Sequence, residues 1–165
     1  MVKVKSTLKV KDMGWERIKR ENRKMRNSFT KAGFPQGVRP SAGDAGVKMF
    51  TEMNEISVVA AVHEWGAPKR GIPERSFIRS SFDDNLPELI KLRNKLYWQI
   101  QQGRMDTKGA LFVMGQFLQD RMKQKIRDIK FPPNSPATIA KKGVDNPLID
   151  TAQMINSISH VEVVK

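Results

Sequence analysis

The sequence has no cysteine and only two histidines, His63 and His160. Without thiols there is no disulfide framework and no thiolate-held metal, and nothing calls for an oxidising compartment. A three-ligand zinc site would have to draw carboxylates from unrelated segments. His63-Glu64 opens like a zinc-protease motif, but the second histidine is missing and residue 67 is Ala. No phosphate-binding loop, dinucleotide fingerprint or Gly-x-Ser-x-Gly elbow occurs. Aromatic residues make up 7% of the chain, too few for an evident base-stacking platform. No helix-turn-helix or zinc-finger pattern is present. No apolar run reaches the ~18 residues of a membrane span, and none follows the basic start Met1-Val2-Lys3 as a signal peptide requires. These absences predict a soluble, non-enzymatic protein made in a cytoplasm, with no cofactor, no metal and no membrane.

What the chain has in excess is positive charge. Thirty Lys and Arg against 17 Asp and Glu give +13, and residues 1–31 alone contribute +8. Such a field attracts nucleic acid, anionic lipid or an acidic protein surface. The plainer reading is a solvated basic face that aids solubility. The length, 165 residues, suits one domain.

Along the chain, residues 1–10 alternate Val and Leu with Lys and Ser, as an edge strand or an arm does. Asp12 is a plausible cap for a basic amphipathic helix to about Arg26, with Trp15, Ile18, Asn22 and Met25 on one face. Residues 28–34 read as a strand. Residues 35–47 are rich in Pro, Gly, Ser and Asp and read as a long loop. A short strand over 47–51 follows. Residues 55–63 read as a buried strand by their β-branched content and short length, although periodicity alone leaves helix open. Glu64 to Ser81 reads as a loop.

Asp83 to Gln102 reads as a helix capped by Asp84 or Asn85, with Pro87 in its first turn and Leu86, Leu89, Ile90, Leu96, Tyr97 and Ile100 as its apolar stripe. The paired Asp83-Asp84 suits the positive end of that helix. A second long helix runs from Asp106 or Thr107 to about Ile129, striped by Leu111, Met114, Leu118, Met122 and Ile126, and stopped by Pro132-Pro133. Ser135-Pro136 opens a short helix ended by Gly143. Another begins at Asp150-Thr151, and His160–Val164 reads as a closing strand. Helices and strands are segregated, which predicts an α+β domain. A small, mainly antiparallel sheet packs against two long helices, with a basic N-terminal helix and arm.

Three segments stand out together: Ala60-Ala61-Val62-His63-Glu64-Trp65-Gly66-Ala67, Gly71-Ile72-Pro73-Glu74-Arg75-Ser76-Phe77-Ile78-Arg79, and Lys142-Gly143 with Pro147-Leu148-Ile149-Asp150-Thr151-Ala152 leading to Ser157-Ile158. In this order they resemble the phage tail-completion and head–tail-joining (neck, tail-terminator-like) proteins of the virion-morphogenesis type. The resemblance covers about residues 28–165, so residues 1–27 read as a basic arm and helix and 28–165 as the single α+β domain. Ser76 stands where that family usually has Pro, and Ala152 where it usually has Gly.

The resemblance implies a structural virion protein assembled in the host bacterial cytoplasm. It implies a ring of this chain, sixfold, that caps the tail and joins it to the head connector. The implied partners are other copies of the chain, head connector or adaptor proteins, and the tail tube protein. From the residues themselves, Arg75 and Arg79 flank Phe77 as an aromatic anchor between planar donors, a combination enriched at interfaces. The bland alternative is that Phe77 is core and both arginines are solvated. Trp65, Arg75, Phe77, Arg79 and Arg39 of the 35–47 loop are the expected interface residues. Lys19, Arg20, Arg23, Lys24 and Arg26 are the expected contacts to an acidic partner or to phosphates. The alternative function is a basic protein contacting DNA phosphates, without reading sequence, through its N-terminal third.

Overall fold

A computed structural model describes residues 14–34, 55–143 and 145–165. The expected arm over 1–10, the Asp12 cap, the 35–47 loop with Arg39 and the strand over 47–51 lie outside the described residues. In chain order the elements are α1 (Trp15–Asn27), β1 (Phe29–Gly33), α2 (Ile56–Trp65), a 3-10 turn (Pro68–Arg70), α3 (Ile78–Gln101), α4 (Thr107–Asp128), α5 (Pro136–Lys142), α6 (Gln153–Ser157) and β2 (Ser159–Val163). The fold is α+β, and its two-stranded antiparallel sheet packs against long helices.

Helices α3 and α4 form an antiparallel pair. Lys125 reaches Asp84 at 2.6 Å and Arg121 reaches Glu88 at 2.6 Å, so partner numbers run in opposite directions. The turn between them uses Gly103 at φ 77°. Leu96 and Ile100 of α3 bury against Ala110 of α4, with Met25 of α1 alongside. Strands β1 and β2 pair from Phe29 with Val163 to Gly33 with Ser159. The sheet lies so close to α4 at Gly115 that a Cβ there would sit 2.5 Å from Thr30 Oγ1 and 2.7 Å from the His160 ring. His160 is held there by Gln119 at 2.6 Å.

The main core joins Ile56 and Ala60 of α2, Phe77, Met122 and Ile126 of α4, Met154 and Ile155 of α6, and Ile158. Residues 55–63 are therefore a correction: they form most of helix α2, not a strand. Ile56, Ala60 and Glu64 share one face at i, i+4 and i+8 and are all buried, which is helical spacing. Ala60 and Ala61 favour a helix, and three valines in ten residues do not outweigh burial of that face.

The start of α3 is a second correction. It begins at Ile78, so Pro87 lies inside the helix and not in its first turn. Pro87 cannot donate to the Asp83 carbonyl, but that stretch is exposed, so water can satisfy the carbonyl. Of the expected stripe on α3, Leu96 and Ile100 are buried, whereas Leu86, Ile90 and Tyr97 are exposed. Three expectations hold closely: α4 with Asp106 as its cap, α5 with Ser135 as its cap and Gly143 at its end, and β2. No helix among the described residues is long and apolar enough to cross a membrane.

Candidate functional site

The three segments singled out in the sequence meet around one cleft of about 850 Å³. Each wall has a local cause. Helix α2 ends at Trp65, and Gly66 follows at φ 72°, where a Cβ would meet Glu74 N at 2.7 Å. Only glycine fits both that angle and that approach. The chain then doubles back through an isolated bridge between Ala67 and Ile72 around the 3-10 turn. Arg75 N–H donates to His63 O at 2.8 Å, which fixes the loop along the end of α2.

Glu64, expected only as a loop residue, is the hinge of this arrangement. It is buried, and its carboxylate accepts from Phe77 N–H and Ile78 N–H at 2.8 Å each, and from Arg79 N–H at 3.0 Å. Ser76 Oγ and Arg79 Nε donate at 2.9 Å each. These backbone donors are the orphaned N–H groups at the start of α3, and the charge meets the positive end of its dipole. Burial would raise the carboxyl pKa; the hydrogen bonds from Arg79, Ile78 and Ser76 outweigh it and hold it below its ordinary value.

The expected interface residues divide. Phe77 is 0% exposed and packs edge-on to Phe34 at 6.0 Å. It is core, as the bland alternative had it, and is not available as a surface anchor. Arg75 is buried and donates to the carbonyls of Pro132 and Pro133 at 2.9 Å each, tying the loop to the end of α4's extension. Arg79 bonds Glu64 and Glu74 and lies 3.8 Å over the Trp65 ring, which is 63% exposed. Trp65 and Arg79 thus form one exposed stacked pair, while Arg75 and Phe77 hold the fold together. Arg39 lies outside the described residues.

The cleft is mixed in charge: Arg70, Arg75 and Lys142 line it together with Glu74 and Asp150, and His63 of α2 lies among them. Lys142 donates to Asn146 O at 2.9 Å. Asp145 lies close enough to act on both Arg75 and Lys142, and Asp150 on Lys142. Burial first, then the charges of Arg75 and Lys142, push His63 down to about 4, so it is neutral near pH 7. Burial also lowers Lys142, with Arg75 adding to the effect and Asp150 and Asp145 opposing it. His63 Nδ1 and Asn134 Nδ2 are buried without a hydrogen-bond partner, and both residues line the cleft. Among the described residues, no group of three His, Asp or Glu side chains is placed to hold a metal.

The basic helix α1 is bound into the fold by another glutamate. Glu21 is buried and accepts from Thr107 N–H at 2.9 Å and Thr107 Oγ1 at 2.8 Å, capping α4 from outside. Lys24 donates to it at 2.9 Å. Burial works against the charged form, but the bonds from Thr107 and Lys24 bring Glu21 down to about 2. Of the expected phosphate contacts, Lys19 pairs with Glu16 at 2.5 Å and Lys24 with Glu21. Arg20, whose Nε lies 3.9 Å from Glu21, Arg23 and Arg26 face solvent.

Searches of protein-family models, curated proteins and solved structures give no match to this chain.

Proposed function

We propose that the chain is a structural subunit of a tailed-phage particle, acting in the virion at the head–tail junction as a neck, tail-terminator or tail-completion protein. In this reading it assembles with copies of itself into a ring, sixfold by resemblance. The ring caps the tail tube and joins it to the head connector or adaptor. The chain works by binding, without making or breaking covalent bonds.

One observation carries the reading. The three segments that resemble the family, spread over residues 60–158, are neighbours around a single cleft. Their most recognisable residues hold one another in place, Glu64 with Ser76, Phe77 and Arg79. Glu64, half of the zinc-protease-like fragment, is engaged as a helix cap, which suits a scaffold role.

Electron microscopy of the chain mixed with tail tubes and connector rings tests this, because capped or joined tubes are expected. A protein that stays monomeric beside both partners would overturn it. Deleting residues 1–10 is expected to impair assembly more than it lowers the melting temperature.

The exposed Arg20, Arg23 and Arg26 favour one alternative, contact with DNA phosphates. In that case replacing all three by Ala flattens the dependence of log K on log salt by up to ~0.9 per lost phosphate contact. No DNA binding at ~50 mM salt would end the alternative.

A further inference from the structure

Helix α3 packs one side against α4 and leaves another uncovered. Ser81, Leu96 and Ile100 are buried, and Asp84 and Glu88 reach α4 through Lys125 and Arg121. Phe82, Leu86, Ile90 and Tyr97 are instead between 39% and 45% exposed and belong to neither hydrophobic cluster. Their spacing of four, four and seven residues places them on one side of the helix. Arg79 stands on that side too, three residues before Phe82 and seven before Leu86, and its guanidinium carries the exposed Trp65 ring at 3.8 Å. At ~200 Å² for each large side chain, these five apolar residues leave on the order of 450 Å² exposed. Patches of that size are the largest a monomer ordinarily shows and often mark a contact surface. An apolar share of ~57% scales it to about 800 Å² per partner, the standard size of a specific protein–protein contact.

The charges on this face suit a copy of the same face. Asp83 precedes Leu86 by three residues and Ile90 by seven, whereas Arg93 follows Ile90 by three and Leu86 by seven. Both are exposed, and neither forms an ion pair among the described residues. A two-fold axis beside position 88 sets two antiparallel copies of α3 with Leu86 level with the partner's Ile90. It also sets Asp83 level with the partner's Arg93, and the Trp65–Arg79 stack level with the partner's Tyr97. Self-complementarity of this kind is what a two-fold contact requires. The repulsion between copies is least here, because α3 carries four Lys or Arg against three Asp or Glu in a chain of net charge +13. An unrelated apolar partner would need no such mirrored charges. From these residues we infer that the outer face of α3, with Trp65 beside it, binds a second copy of this chain as an antiparallel two-fold dimer. The inference does not rest on the assembly reading: a closed ring joins two unlike patches, whereas this face pairs with itself.

The test is sedimentation equilibrium of the full chain from ~1 μM to ~1 mM, a span that covers weak association. A monomer–dimer equilibrium with a dissociation constant of about 100 μM or tighter is expected. Leu86→Glu with Ile90→Glu should weaken it at least about tenfold, since like charges then face each other across the contact. That variant lowers the net positive charge by two, so a general change in repulsion would act the other way. Asp83→Arg and Arg93→Asp should each weaken the dimer as well, and the two together should restore it to within about threefold of the unaltered chain, the mark of a direct pairing. Circular dichroism checks that each variant is folded; should the double-glutamate variant unfold, the charge swap decides. A chain that stays monomeric at ~1 mM, or passes to larger species with no dimer, would overturn the inference. So would a dimer that survives the two glutamates, or a double swap as weak as either single variant. A monomeric chain whose double-glutamate variant fails to cap tubes would assign the face to another protein and overturn it too. Capped tubes without a dimer, or a dimer without capped tubes, keep the two readings apart.

Discussion

Replacing Glu64 by Gln tests the electrostatic joint on which α3 depends. The substitution keeps the side chain's size and removes its charge. The carboxylate now accepts five hydrogen bonds, three from backbone N–H groups, one from Ser76 and one from Arg79. A Gln can turn only one oxygen to these donors, and its amide protons would confront the remaining N–H groups in a buried site. Hydrogen bonds to a charged group are worth ~1.5–3 kcal/mol each, and removing one partner of a buried ionic cluster costs about 3–5 kcal/mol. The arginine's share is small, because its side chain is 42% exposed and water screens it; most of the loss comes from the helix start. Urea unfolding of both proteins at pH 7 should show a loss of about 3–5 kcal/mol. The pH dependence supplies a second signature. Since the folded carboxyl titrates below its ordinary value, its contribution is complete above the unfolded pKa and is lost as pH falls through the folded one. Glu64→Gln should lack that acid-induced loss. A change under ~1 kcal/mol at neutral pH, or an unchanged acid profile, would refute the account of α3 as a helix capped from α2.

Three other outcomes follow from the same structure. His63 is held near 4 against an ordinary 6.5, so the unfolded chain binds its proton first. Stability should fall by up to about 3 kcal/mol between pH 6.5 and pH 4, and His63→Gln should flatten that part of a urea-midpoint profile. Ala152 stands at φ 59°, a left-handed angle that costs a non-glycine residue ~1–2 kcal/mol. After the entropy cost of glycine, ~0.5–1 kcal/mol, Ala152→Gly should raise stability by up to about 1.5 kcal/mol, read as a higher melting temperature. Gly115→Val should push the sheet from α4 and broaden or shift the NMR signals of Thr30 and His160, because even a Cβ meets both within 2.7 Å.

The sequence was informative where local chemistry decides structure. Asp106 and Ser135 cap α4 and α5 with their own side chains, accepting from Gly109 N–H and Thr138 N–H. Each is a short-range signal that can be read without the fold. It misled where a cap came from far away. Helix α3 has no side-chain cap at its own N-cap residue, Phe77; its cap is Glu64, thirteen residues earlier than Phe77. Sequence reading therefore moved the start to the first local candidates, Asp84 and Asn85. The same holds for Glu21 and α4, separated by 86 residues. Its only sequence trace is position: Glu21 lies between Ile18 and Met25, residues expected on or near the inward face. For the site, the three segments were legible as motifs, but their convergence was not. Phe77 was legible as an aromatic between arginines; that it is core follows from helix α2 occupying the place where a strand was expected.

Charge in this protein does two jobs that the net value hides. The buried carboxylates, Glu21 and Glu64, serve the fold, each capping one of the two long helices. Their cations, Lys24 and Arg79, are fixed by that work. Arg20, Arg23 and Arg26 on α1 face solvent, but so do carboxylates such as Asp83, Asp120 and Asp128, so the surface is mixed with a basic excess. In the assembly proposed above, a ring would repeat the +13 in every subunit, and that self-repulsion would have to be offset by acidic surfaces on what the ring meets.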